Sequence, residues 1–302
     1  MSRFALRLQG LRKRYGKTVA LDGLTLDVPS GVVMGLVGPN GAGKTTTFGI
    51  ISGAVRPDAG RVDVLGEGPF DPGRHAGRLT VLPQDCELNP HSSAGQLLTF
   101  YARLQGISRP KQEAQRVLEI VRLGDRIGAR VRQLSHGMKR RLAVAQALIG
   151  DPELILLDEP TGGLDPHLVV EMRQVLREQK GERTLIVSSH VLSDLEATCD
   201  HVAFLEAGRC TKTGSIDLIT GRSRLVSIRL AQAVDLVALE PLLEGREPAL
   251  EGLWLTYQLR EEEDPSDSHA EIIPALVSHG ARVLEVRLGR TLERAYLDSR
   301  ES

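Results

Sequence analysis

The sequence predicts an α/β fold, and three observations support this. Short apolar runs alternate with segments of helical periodicity over most of the chain. One run, Ile155-Leu156-Leu157, is apolar at every position, as expected for a strand buried on both faces of a parallel sheet. A glycine-rich segment, residues 35–47, directly follows another apolar run at residues 32–34. We therefore expect strands and helices to alternate around an α/β sheet.

Six short runs are predicted as strands of this sheet. They lie at residues 24–28, 32–37, 78–82, 154–157, 184–188 and 201–205. Between about residue 88 and residue 150, apolar residues recur with the spacing of a helix. The helical segments predicted there are residues 94–104, 111–121 and 137–149. This block is interpreted as a helical insert within the α/β core.

The pattern changes near residue 220. Residues 222–302 are predicted to form strand, helix, strand, helix, strand and helix, with the strands at 225–230, 253–259 and 282–288. The acidic stretch from Glu261 to Pro265 is interpreted as a solvated loop. We expect a large domain at residues 1–221 and a small accessory α/β domain at residues 222–302.

Composition limits the classes of partner. The net charge of −1 disfavours free nucleic acid as a partner. Aromatic residues make up only 3% of the chain, which is few for stacking on the bases of single-stranded nucleic acid. Cys86, Cys199 and Cys210 form no CxxC pair, so a reduced cytosolic setting is expected. The first residues lack the apolar region of a signal peptide, and no apolar run approaches the roughly 20 residues that cross a bilayer. Any membrane crossing is therefore expected from another chain.

Residues 38–45 match the pattern GxxxxGK[ST] between a predicted strand and a predicted helix. Glycines let successive N–H groups turn toward one anion, and the helix start adds partial positive charge. Lys44 is expected to neutralise β- and γ-phosphate oxygens, and Thr45 to ligate Mg²⁺. The residues expected at the phosphates are Gly38, Pro39, Asn40, Gly41, Ala42, Gly43, Lys44, Thr45 and Thr46. The alternative is a glycine-rich turn that matches by chance.

The strand predicted at residues 154–157 ends in two carboxylates, Asp158 and Glu159. Ligands bind at the carboxyl ends of strands in α/β sheets, and side chains of adjacent strand residues diverge. We assign Asp158 to the Mg²⁺ shell and Glu159 to polarising an attacking water. The alternative is a solvated charged pair at a strand end.

Over residues 3 to about 220, the chain resembles the ATP-binding subunit of an ABC transporter. The resemblance implies a P-loop NTPase fold, with a RecA-like core, an antiparallel β subdomain and a helical insert, and it implies ATP and Mg²⁺ as cofactors. Tyr15 resembles the A-loop aromatic that stacks on adenine. Gln84 resembles the Q-loop glutamine, which contacts Mg²⁺ and responds to the membrane partner.

Residues 134–138 resemble the signature motif LSGGQ of this family but depart from it twice. His136 replaces a glycine and Met138 replaces the glutamine, whereas Ser135 and Gly137 keep the pattern. Ser135 is predicted to cap the helix that follows. We expect function to survive, because the backbone N–H groups and the Ser135 hydroxyl remain.

Three cations at residues 139–141 follow this cap, in a first turn where positive charge opposes the helix dipole. An anion brought to the helix start would explain them, and the resemblance offers the γ-phosphate of ATP on an opposite subunit. The alternative is a solvated basic face.

Two further motifs carry the resemblance. Residues 162–165 resemble the D-loop, with Gly162 where serine or alanine is usual, and Asp165 would meet the other subunit. His190, after two serines, resembles the H-loop histidine, which reaches the γ-phosphate or holds the attacking water beside Glu159. The residues expected to act in catalysis are Glu159, His190 and Lys44. Those expected at the metal are Thr45, Gln84 and Asp158. Those expected at the nucleotide, besides the phosphate loop, are Tyr15, Gln84, Ser135, His136, Gly137 and Asp165.

The resemblance implies two ATP-binding domains arranged head to tail, most simply a homodimer, with two ATP-Mg²⁺ trapped between each phosphate loop and the opposing signature motif. It implies coupling to a separate transmembrane permease docked near Gln84 and the helical block, at the cytoplasmic face of the cell membrane. Residues 291–298 resemble the C-terminal segment of ATPases that serve type-2 exporters of drugs or polysaccharides. The alternatives are a soluble ABC-type ATPase acting on ribosomes or DNA, and a regulatory subunit with weak hydrolysis.

Overall fold

The computed structural model describes residues 3–222, 224–232, 243–260 and 263–301. The chain folds as two compact units, Met1–Gly214 and Ser215–Ser302. The predicted α/β fold class is confirmed, since parallel and antiparallel sheets are combined with helices. In the part of the chain that the structure describes, no helix combines the length and apolarity needed to span a bilayer.

The central sheet of the first unit has six strands. They are β3 (Val33–Val37), β5 (Leu79–Leu82), β6 (Leu154–Asp158), β7 (Thr184–Ser189), β8 (His201–Glu206) and β9 (Arg209–Ser215). Their order is β5-β6-β7-β3-β8-β9, and the pairs from β5 through β8 are parallel. Every residue of β3, β6 and β7 is buried, which explains their lack of polar alternation.

A second, antiparallel sheet of the first unit was only partly predicted from the sequence. Its strands are β1 (Phe4–Tyr15), β2 (Thr18–Pro29) and β4 (Ala59–Val64), in the order β2-β1-β4. Only a segment of β2 was predicted, and β1 and β4 were missed. In β1 the register shifts between Leu8 and Leu11, where Gly10 has a φ of 60°. Such a bulge breaks the alternation by which a strand is recognised.

Seven α-helices of the first unit lie in the described residues. They are α1 (Lys44–Ile51), α2 (Pro72–His75), α3 (Ala94–Leu104), α4 (Pro110–Ile120), α5 (His136–Ala147), α6 (Pro166–Arg177) and α7 (Leu192–Thr198). Three of them, α3 to α5, form the predicted helical block. The N-terminus of α3 is fixed by a capping box, because Ser93 accepts from the Gln96 N–H and the Gln96 side chain accepts from the Ser93 N–H.

The second unit is built on a four-stranded antiparallel sheet in the order β11-β12-β10-β13. The strands are β10 (Leu225–Leu230), β11 (Ala249–Glu251), β12 (Trp254–Gln258) and β13 (Val283–Leu288), and the helices are α8 (Ile216–Thr220), α9 (Pro265–Ser278) and α10 (Leu292–Glu301). One sheet face packs on α9 through buried residues such as Ile228, Tyr257 and Leu276. The helix predicted after β10 falls largely on residues 233–242, outside the described residues.

The predicted solvated acidic loop before α9 is wrong for Glu263. Its carboxylate accepts two hydrogen bonds of 2.6 Å from the guanidinium of Arg246, which is fully buried. These hydrogen bonds hold the pKa of Glu263 below its ordinary value. Asp264 caps α9 by accepting from the Ser266 N–H. Glu261 and Glu262 lie outside the described residues.

Candidate functional site

The glycine-rich loop joins β3 to α1, as predicted, and its shape depends on its glycines. Gly41 and Gly43 have φ values of 82° and 105°, which L side chains rarely adopt. A Cβ at Gly38 would lie 2.5 Å from the Leu205 carbonyl oxygen, and one at Gly43 would lie 2.7 Å from that of Ala20. Because Gly43 is the N-cap of α1 and offers no side-chain cap, the first N–H groups of the helix stay open toward the loop.

Lys44, the first residue of α1, folds back over this loop. Its ammonium donates to the carbonyl oxygens of Gly38 at 2.6 Å and Pro39 at 3.3 Å. The residue is only 8% exposed. Both partners are neutral, so the ammonium charge is available to an anion that enters the loop.

Asp158, the last residue of β6, lies opposite the start of α1. Its Oδ2 accepts from the Thr45 hydroxyl at 3.2 Å, and its Oδ1 accepts from the Ser188 hydroxyl on β7. The same Ser188 oxygen accepts from the Glu159 N–H at 3.0 Å. Two adjacent strand ends therefore fix the position of this carboxylate beside Thr45.

Glu159 directly follows β6, and its side chain contacts a residue directly after the end of β7. Its φ of 51° lies in the left-handed region, which is uncommon for a residue other than glycine. The side chain is 9% exposed, and its Oε2 lies 2.9 Å from Nδ1 of His190, which is 63% exposed. A buried carboxylate is thus paired with a histidine that faces solvent.

One cleft gathers most of the predicted residues of the first unit. Its lining consists of Tyr15, Thr18, Val19, Ala20, Pro39, Asn40, Gly41, Gly43, Lys44, Thr45, Thr46, Gln84, Asp158 and Glu159. Tyr15 ends β1, is half exposed, and has the Lys13 ammonium 5.5 Å from its ring centroid. An aromatic ring thus stands at the cleft beside the phosphate loop.

Comparison with known proteins identifies the family. The pattern of the ABC transporter family matches residues 21–162. Nod factor export ATP-binding protein I of Rhizobium sp. (strain N33) is 40% identical over 221 residues, which cover 71% of this chain and 72% of that protein. The protein of the same name from Burkholderia orbicola (strain AU 1054) is 38% identical over 222 residues, with 71% and 72% covered. The chain belongs to the ABC transporter family. It is an ATP-binding subunit and an ATPase.

Solved structures agree with this assignment. The chain is similar to cbiO1 of Clostridium perfringens, part of the ABC transporter complex cbiONQ, with a TM-score of 0.67 and 27% identity over 74% of this chain and 92% of that one. It is also similar to an ATP-binding subunit of an ABC transporter, with a TM-score of 0.62 and 27% identity over 72% and 93%.

The signature segment of this ABC ATPase lies apart from its own cleft. Ser135 caps α5, as predicted, by accepting from the Met138 N–H at 3.3 Å. Gly137 lies against α6, where an added Cβ would come 2.3 Å from Leu168. His136 lies beside Gly163 of the predicted D-loop. These residues and Asp165 do not belong to the lining of the cleft.

Arg140 is a residue of the site whose role sequence reasoning missed. Its guanidinium donates to the backbone oxygens of Asp158, Glu159 and Pro160 at 2.6–3.2 Å, and to that of Gln84 at 3.0 Å. Arg141 instead pairs with Glu171 of α6 at 3.2 Å. The interpretation that all three cations at 139–141 await an anion is therefore wrong, because two of them are bound within the chain.

The donors beside the phosphate loop fit Mg²⁺. The Thr45 hydroxyl and the Asp158 carboxylate are hard oxygen ligands held 3.2 Å apart, and Gln84 lines the same cleft. Across the described residues, no group of three or more His, Cys, Asp or Glu side chains is arranged to hold a metal. A magnesium ion here would therefore take its other ligands from nucleotide phosphates and water.

Proposed function

We propose that this chain is the ATP-hydrolysing subunit of an ABC exporter and drives a separate transmembrane permease. The relatives named for Nod factor export support the direction of transport, since the chain covers 72% of the length of the two described above. The contact between Glu159 and His190 beside the phosphate loop is the observation that carries the proposed hydrolysis.

The proposed reaction is in-line attack of water on the γ-phosphate. The Glu159 carboxylate accepts the water proton as the oxygen–phosphorus bond forms and the bond to the leaving ADP oxygen breaks. His190, which is hydrogen-bonded to that carboxylate, orients the water or the γ-phosphate. Lys44 neutralises the phosphate oxygens. The glycine loop and the start of α1 hold the phosphates in line for attack.

Adenine and metal are proposed to be held by the remaining cleft residues. The Tyr15 ring is placed at the cleft to stack on the base. Thr45, Asp158 and Gln84 would hold Mg²⁺, which when bound neutralises charge at the β- and γ-phosphate oxygens.

A second copy of the chain is proposed to complete the site. Ser135, His136, Gly137 and Asp165 lie outside the cleft of their own chain, yet α5 presents an exposed, serine-capped start. Delivered by another copy, this start would place the Ser135 hydroxyl and helix N–H groups on the γ-phosphate. ATP binding would then close a homodimer, and hydrolysis would reopen it.

The permease is proposed to dock on the helical block at the cytoplasmic face of the membrane. On α3, Phe100 and Leu104 are 55% and 68% exposed. Phe100 also lines a shallow groove that includes Gly95 and Ile127. Exposed apolar side chains clustered in this way are typical of a protein interaction surface. ATP-driven closure would move this surface and the permease together.

Steady-state ATP hydrolysis tests the catalytic assignment. Glu159→Gln should lower kcat by about 10²- to 10⁴-fold, the usual contribution of a general base, while ATP binding persists. Glu119→Gln, on the exposed face of α4, is the matched control and should keep the wild-type rate. Equal rates in wild type and Glu159→Gln would refute the assignment.

Purification from detergent-solubilised membranes tests the transport assignment. A permease should co-purify, and the pair reconstituted in vesicles should transport substrate only with ATP. Loss of co-purification in Phe100→Asp, with ATPase activity intact in the isolated subunit, would locate the docking surface. Recovery of an active ATPase with no membrane companion would support the soluble alternative instead.

A further inference from the structure

The sheet of the second unit packs on α9 with one face, and a cavity lies on its other face. Side chains alternate along β10, so Val226 and Ile228 enter the core beneath α9, whereas Leu225 and Ser227 point to the opposite face. There the sheet and the segment 290–297 line a partly open cavity of about 530 Å³. This volume lies within the range of small-molecule sites.

Three polar side chains line up on the floor of this cavity. Ser227 is paired in register with Thr256 on β12 and with Arg287 on β13, so the three side chains stand side by side. Ser227 is 1% exposed, and among the described residues its hydroxyl has no hydrogen-bond partner. Buried hydroxyl groups are nearly always paired in proteins, so an unpaired one that faces a cavity points to a missing partner.

Among the three arginines that line the cavity, Arg287 has the weakest pairing with carboxylates of the described residues. Arg290 and Arg294 both pair with Asp298, and Arg294 also pairs with Glu251. The carboxylate nearest to Arg287 is that of Glu285 at 3.9 Å, beyond hydrogen-bond distance, and Arg287 Nε has no partner among the described residues. The lining carries three arginines and two glutamates, and Arg287 is the one of the three arginines that makes no hydrogen bond to a carboxylate of the described residues.

The walls of the cavity are apolar and carry an aromatic ring. Trp254 lies under the Arg287 guanidinium, 4.1 Å from the ring centroid, and this stacking fixes the arginine at one end. Leu225, Ala249 and Leu297 contribute the other apolar surface. A polar floor with a guanidinium that lacks a hydrogen-bonded carboxylate, surrounded by apolar walls, suits a ligand with one charged end.

We propose that this cavity binds a small organic anion with an apolar or aromatic body. A carboxylate, sulfonate or phosphate group of the ligand accepts from Arg287 and from the Ser227 hydroxyl, and the body packs on Trp254, Leu225 and Leu297. The site lies wholly within the second unit, so ligand binding is measurable apart from ATP hydrolysis.

Trp254 is the only tryptophan of the chain and reports on the cavity directly. The full-length protein is titrated with 8-anilinonaphthalene-1-sulfonate, and Trp254 emission is followed. Saturable quenching with energy transfer to the probe is expected. N-phenyl-1-naphthylamine, which has the same aromatic body without charge, should bind at least about tenfold more weakly, because it cannot pair with Arg287.

Variants decide whether the probe occupies this site. Arg287→Met should weaken binding of the sulfonate at least about tenfold. Arg282→Met removes the same charge from an exposed position of the same unit outside the cavity lining, and should change binding of the sulfonate less than about twofold. Ser227→Ala, which removes the hydroxyl with little change in volume, serves as a second test if Arg287→Met fails to fold, and it should also weaken binding of the sulfonate. Unchanged Trp254 emission, equal binding of both probes, or equal affinities in Arg287→Met and Arg282→Met would overturn the proposal.

Discussion

Two helices of the first unit begin in different ways, and the difference indicates two ways in which a helix N-terminus can bind a phosphate. α1 begins after Gly43, which offers no side-chain cap, so its first N–H groups remain open. α5 begins after Ser135, whose hydroxyl already accepts from the Met138 N–H. The start of α1 can therefore bind an anion by itself. The start of α5 is stable without one, so it is suited to be presented to a nucleotide held elsewhere.

The largest expected effect comes from damaging the two helix starts in separate copies. Lys44→Met should abolish ATP binding, and Ser135→Arg should leave ATP binding and dimer formation intact but abolish hydrolysis at the one site that its own signature segment faces. Mixed together, the two inactive proteins should regain about a quarter of the wild-type rate. Half of the dimers are then mixed, and each mixed dimer carries one intact site of two.

Purified variants mixed at equal concentration, assayed with ATP and Mg²⁺, measure this rescue. Lys44→Met mixed with itself is the control and should stay inactive. If the mixture is as inactive as its components while dimers still form, the phosphate loop and signature segment do not act on one nucleotide. If Ser135→Arg hydrolyses ATP normally, α5 has no part in the site.

A smaller effect is expected from the basic first turn of α5. Arg140→Met removes the charged donor of four backbone oxygens, three of them at the end of β6, and should lower the free energy of unfolding by about 2–3 kcal/mol. Arg141→Met loses only an ion pair to a half-exposed glutamate and should cost about 0–1 kcal/mol. Urea unfolding of the two variants gives this comparison.

The rate of ATP hydrolysis should also differ between these two variants. Because Arg140 holds the backbone of Asp158 and Glu159, its loss should lower kcat at 25 °C even where the protein remains folded, whereas Arg141→Met should retain it. Arg140→Lys keeps the charge but lacks the planar fork of donors, so its kcat should lie between those of Arg140→Met and Arg141→Met. Identical stability and kcat in Arg140→Met and Arg141→Met would contradict the positioning role.

The sequence predicted the parts of the fold in which one physical signal dominates. β3, β6 and β7 are buried on both faces and lack polar residues until their ends, so they were found almost to the residue. β1 was missed, because its bulge near Gly10 interrupts alternation and basic residues fill its exposed end. The residues of β1 are buried partly by β4, a strand that is distant in the sequence. Such burial leaves no local sequence pattern that could have indicated the strand in place of alternation.

The cleft was predictable for a different reason. The phosphate loop and the residues at the ends of β6 and β7 carry local motifs, and the parallel sheet brings them to one edge. Arg140 was misread, since its partners are backbone oxygens up to 56 residues away along the chain. Glu263 was misread likewise: four acidic positions in a row suggest solvent, and its buried partner Arg246 lies 17 residues earlier.

The start of α9 is the third helix start in this comparison, and we expect it only to stabilise the fold. Its substitution has the smallest predicted effect. Asp264 caps the helix, and Glu263 beside it accepts from buried Arg246. Glu263→Gln keeps the size and one acceptor but loses the charge, and should lower the stability of the second unit by about 1–2 kcal/mol at pH 7.

This difference should depend on pH in one direction. Since the pKa of Glu263 is held below its ordinary value in the folded chain, its contribution is present above that ordinary value of 4.5 and is lost as the pH falls through the folded pKa. Urea unfolding at pH 7 and at pH 3.5 should therefore show wild type and Glu263→Gln converging in acid. Glu244→Gln, in the same unit, controls for the loss of one negative charge. A gap between wild type and Glu263→Gln that is equal at both pH values would mean that the Arg246 pair does not stabilise this helix start through its charge.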